Sequence, residues 1–80
     1  MKFKELYLSP KYYVVGVGEE TGAGVIAVTI TSVAWREIYF RLTDEELASA
    51  RADVHALDDL AERLAVDKGQ RFDVDRLLAP

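Results

Sequence analysis

The first forty residues alternate between apolar and polar side chains, and the following twenty-odd have helical spacing. The alternation predicts strands over about 2–8, 11–17, 25–31 and 35–42, with Ser9-Pro10 breaking the first pair. Gly18-Glu19-Glu20-Thr21-Gly22-Ala23-Gly24 is turn-rich and reads as a hairpin loop. Val25-Ile26-Ala27-Val28 is almost continuously apolar, as in a central strand or one covered on both faces. In the fourth strand Ile38, Phe40 and Leu42 share one face, and Trp35, Glu37, Tyr39 and Arg41 share the other. The connections are too short for parallel crossovers, so the strands form an antiparallel meander of three to four members.

Thr43-Asp44-Glu45-Glu46 matches a capping box, with Thr43 at the N-cap and Glu46 reaching back to its backbone N–H. Leu47, Ala50, Val54, Leu57, Ala61 and Leu64 then recur at three- and four-residue steps, which predicts one long amphipathic helix over about 44–66. Asp53 disturbs that pattern, because on a continuous helix its carboxylate points toward the apolar stripe. Either the helix breaks near Arg51-Ala52 with Asp53 capping a second segment, or Asp53 pairs with a sheet arginine such as Arg36 or Arg41, or that part of the helix overhangs the sheet and faces solvent or a partner. The tail reads as a short extended piece and a helical turn over about 74–78, with Asp73 as its N-cap and Phe72, Leu77 and Leu78 closing one end of the core. The expected architecture is a single α+β domain, 1–80, with the meander packed on the long helix.

Composition narrows the chemistry. Without cysteine no disulfide can brace a chain of 80 residues, so stability rests on packing or partly on a bound partner. A net charge of −4 argues against nucleic-acid binding, which depends on cationic neutralisation of phosphate, and suits a basic partner. No segment approaches the length of a membrane span, and the N-terminal residues do not resemble a signal peptide, so the expected location is the cytoplasm. His55, Asp59 and Glu62 would share a helix face, but no second metal-binding element accompanies them, and the face reads as solvated. The glycines of 16–24 lack the order of strand, loop and helix that a phosphate cradle needs. With a single histidine and no nucleophile motif, neither catalysis nor a cofactor is expected.

Partner binding is the remaining chemistry. Trp35, Tyr39 and Arg41 are residue types that dominate binding hot spots, and they lie on the strand face opposite Ile38 and Phe40. The second strand adds Tyr12 or Tyr13, depending on register. Trp35, Tyr39, Arg41, Glu37, Tyr12 and Asp53 form the candidate partner-binding set, unless the sheet curls or the tail packs across this face.

At Tyr39-Phe40-Arg41-Leu42-Thr43-Asp44-Glu45-Glu46 a strand runs straight into a capped helix after an antiparallel meander. Here the chain resembles the small immunity proteins of bacterial polymorphic toxin and contact-dependent inhibition systems. That resemblance implies a compact inhibitor that binds a cognate toxin domain, and it transfers no site residues. The alternatives are an assembly subunit acting through homo-oligomerisation, an acidic mimic of nucleic acid, and a small enzyme. The carboxylates are interleaved with Arg51, Arg63, Arg71 and Arg76, which disfavours the mimic. The sequence does not set the oligomeric state.

Overall fold

The structure, a computed structural model, describes residues 3–9, 13–30, 36–67 and 74–78. Strands β1 (Phe3–Ser9), β2 (Tyr13–Gly18), β3 (Gly24–Ile30), β4 (Arg36–Arg41) and β5 (Leu77–Leu78) form one antiparallel sheet in the order β1-β2-β3-β4-β5. Helices α1 (Asp44–Ala52) and α2 (Asp58–Asp67) follow β4, and a 3₁₀ turn, Val74–Arg76, precedes β5.

The expected architecture needs two corrections. The sheet has five strands rather than three to four, because Leu77 and Leu78 pair with Phe40 and Tyr39 at the free edge of β4. Residues 74–78 are therefore a 3₁₀ turn running into a strand rather than a helical turn. Leu77 is also exposed rather than part of the core end. Phe72 and Asp73 lie outside the described residues.

The single helix expected over 44–66 is replaced by two short ones. Asp53 sets the break near Arg51-Ala52, but it closes α1 as its C-cap and does not cap the second segment, which begins only at Asp58. Its backbone is extended, at φ −148° and ψ 119°, and its N–H closes α1 by donating to the Ser49 carbonyl at 3.0 Å. Its carboxylate turns outward and accepts from the His55 N–H at 2.9 Å. An unbroken helix would carry that charge into the apolar layer, at a cost of several kcal/mol on the order of an unpaired buried group. The turn at 54–57 leaves Val54 exposed and returns Leu57, Ala61 and Leu64 to the core.

The capping box at the start of α1 is formed in full. Glu46 N donates to Thr43 Oγ1 at 3.1 Å, and Thr43 N donates to Glu46 Oε1 at 2.9 Å. Arg76 adds a second anchor, donating to both Glu46 oxygens at 2.6 and 3.1 Å. One carboxylate thus caps α1 and ties the C-terminal segment to it.

Both helices pack on the same face of the sheet. Tyr13, Val15, Ile26, Val28, Ile38, Phe40 and Leu42 meet Ala50, Leu57, Ala61 and Leu64 in one core. Val14, Val25, Ala27, Glu37, Tyr39 and Arg41 point to the other side, the outer face. No described helix is long and apolar enough to cross a membrane.

Candidate functional site

The outer face is built on small residues. Gly16 on β2 sits beside Val25 on β3, and Ala27 on β3 lies opposite Tyr39 on β4. With so little side chain between them, the rings of Phe3 and Tyr39 lean toward each other across the sheet and meet edge to face, with centroids 5.6 Å apart and planes at 74°. Such a contact adds about 0.5–1.5 kcal/mol beyond area burial and fixes the orientation of both rings. Val25 and Ala27 are only 4% and 0% exposed although they point away from the helices. The apolar run of β3 is thus covered on both sides.

Tyr39 remains half-buried, with exposed Glu37 and Arg41 on either side of it along β4. Arg41 donates to the Asp75 carbonyl at 3.5 Å, and Arg76 donates to the Arg41 carbonyl at 3.2 Å. The C-terminal segment therefore borders this face along β4.

Of the candidate set, Glu37, Tyr39 and Arg41 come together here. Trp35 and Tyr12 lie outside the described residues. Asp53 belongs to a different place, the α1–α2 junction, where it is exposed and its carboxylate serves the turn. Phe3 is a member of the outer face that the pattern of the sequence did not single out. Its signal is Gly16, a glycine in the interior of a valine-rich strand, which marks a close approach.

A second polar cluster lies where the helix junction meets β1 and β2. Tyr13 is fully buried, yet its hydroxyl reaches Asp58 Oδ1 at 2.6 Å and the Val54 carbonyl at 3.3 Å. The other oxygen of Asp58 is 3.1 Å from His55 Nδ1. Burial, followed by the bond to Asp58, pushes the Tyr13 phenol well above its ordinary value. Burial also raises Tyr7, and the charges of Asp58 and Asp53 add to the rise; its buried hydroxyl makes no hydrogen bond among the described residues. This cluster seats the junction against the sheet. His55 lies on the junction turn and faces Asp58, not on a common helix face with Asp59 and Glu62. Among the described residues no group of three or more His, Cys, Asp and Glu is placed to hold a metal ion.

Searches among protein families, curated proteins and solved structures found no match to this chain.

Proposed function

We propose that this chain is a protein-binding module, an immunity- or antitoxin-like inhibitor that binds and neutralises a toxin domain. One observation carries the binding half of the reading. The outer face, on the side away from both helices, holds a fixed aromatic residue, Tyr39, between exposed charges of opposite sign, Glu37 and Arg41. An aromatic anchor locked before binding loses little entropy on association, and a charged rim selects the partner. The net charge of −4 favours a partner with a basic surface. The inhibitor half rests on the resemblance at residues 39–46.

The test uses the tagged full chain as bait in its native cells, beside a Glu37→Lys/Arg41→Glu variant. The wild type should retain a protein whose expression alone arrests growth and whose co-expression with this chain does not. The variant should unfold at the same urea concentration and bind that protein about tenfold more weakly. Equal binding by both chains would remove the outer face from the proposal. A captured protein that is harmless would remove the inhibitor reading.

A second reading, homo-oligomerisation, is favoured by the β1 edge. That strand has no neighbour on its outer side among the described residues, and Leu8 on it is 66% exposed.

A further inference from the structure

The outer face ends, beside Arg41, in a cleft of ≈ 530 Å³ between the β2–β3 loop and β5. That volume is within the roughly 300–1,000 Å³ of sites that enclose a small group. Ala23, Val25 and Leu78 supply apolar walls, Glu19 and Glu20 stand along the loop side, and Arg41 stands across from them. The loop is closed by two backbone hydrogen bonds, Gly18 N to the Ala23 carbonyl and Gly22 N to the Gly18 carbonyl, both 2.8 Å. Gly22 takes φ 71°, a left-handed conformation that glycine adopts without penalty. Thr21 Oγ1 accepts from Ala23 N at 3.2 Å, so the backbone carrying the two glutamates is set before anything binds.

We propose that this cleft receives a lysine or arginine side chain from an extended segment of the protein partner. The inference rests on the protein-binding reading and names the chemistry at one end of its surface. A long basic side chain has an apolar stem and a charged head. The stem suits Ala23, Val25 and Leu78, and the head meets Glu19 and Glu20. Among the described lining residues carboxylates outnumber the guanidinium two to one, and Arg41 already donates to the Asp75 carbonyl. An acidic side chain would face two like charges at the same rim. The remaining N–H groups of Arg41 are suited to a backbone carbonyl of the incoming segment.

The probe is the blocked tripeptide acetyl-Leu-Lys-Leu-amide, titrated into the ¹⁵N-labelled full chain, with Glu and norleucine versions as controls. Amide signals of residues 18–25 and of Arg41 should move with the lysine peptide. They should move about fivefold less readily in concentration with either control. Glu19→Gln/Glu20→Gln should weaken the lysine peptide by about the same factor, leave the urea midpoint unchanged, and erase most of the salt dependence. Shifts centred elsewhere, equal binding of the glutamate peptide, or no effect of the double variant would each overturn the proposal. The titration needs no natural partner, so it can fail while capture through Glu37 and Arg41 succeeds, and the two proposals are distinguishable.

Discussion

At Gly16 a single methyl group decides whether the outer face can close. A Cβ there would overlap the Lys4 carbonyl oxygen and come within 2.5 Å of Phe3 Cδ2. The ring could turn aside, but the carbonyl belongs to the paired strand β1. Gly16→Ala should therefore cost about 1–3 kcal/mol in urea unfolding, despite the better strand propensity of alanine. Buried Tyr13 and half-buried Tyr7 respond differently to loss of the hydroxyl. Tyr13→Phe removes the donor to Asp58 and should cost about 1–2 kcal/mol. Tyr7→Phe removes a hydroxyl with no described partner and should be neutral or slightly stabilising. If both substitutions cost the same, the bond from Tyr13 to Asp58 is not what holds the helix junction. Both phenols have folded pKa values above their unfolded one, so their contribution is complete below about pH 10 and is lost as the pH rises beyond it. Ultraviolet titration should show their phenolates appearing together with unfolding.

At the scale of elements, Glu46 links the start of α1 to the C-terminal segment. Burial acts to raise its pKa, but the bonds from Arg76 and from the Thr43 backbone outweigh burial and hold it below the ordinary 4.5. A lowered folded pKa means stability that is present above the unfolded value and lost as the pH falls through the folded one. Glu46→Gln should thus be less stable than wild type by about 1–3 kcal/mol at neutral pH, with the gap shrinking below about pH 4.5. A gap independent of pH would mean that the Glu46 charge is not what matters. The capping box was legible because it is local. So were four strands, whose alternation or continuous apolar run spans six or seven residues each. The break at Asp53 was not decided, because a turn over 54–57 occupies about one helical turn and leaves the apolar spacing in phase on both sides. β5 was illegible because a two-residue strand has no period. Phe3 was missed for a related reason. Plain alternation puts Phe3, Glu5 and Tyr7 on one face, but the register shifts between Glu5 and Tyr7 and sends Phe3 to the face opposite Tyr7. The Tyr39 surface could be read from β4 alone, whereas its partner ring depends on that irregularity two strands away.

For the whole molecule, the Cα radius of gyration, 11.5 Å, matches the roughly 11.6 Å of a compact domain of this length. A sheet this small has two edges to protect, and they differ. β5 is two residues long, whereas β1 is seven and carries exposed Leu8 beside Val14 at the outer face. The irregularity in β1 and the exposed Lys4 and Glu5 make the first half of that edge a poor template for strand addition, so assembly through β1 would run through its Leu8 end. With β1 so protected, the free chain is expected to stay single until its partner arrives. Light scattering at tens of micromolar should then give one chain per particle, and Leu8→Lys should leave that mass unchanged and alter the unfolding free energy by no more than about 0.5 kcal/mol. A dimer that Leu8→Lys dissociates would shift the balance to assembly through β1. The two outcomes are separable, because Leu8 lies on the far edge strand from Glu37, Tyr39 and Arg41. Loss of dimer with retained partner capture would leave both surfaces in use, whereas loss of both would mean that the outer face acts only within an oligomer.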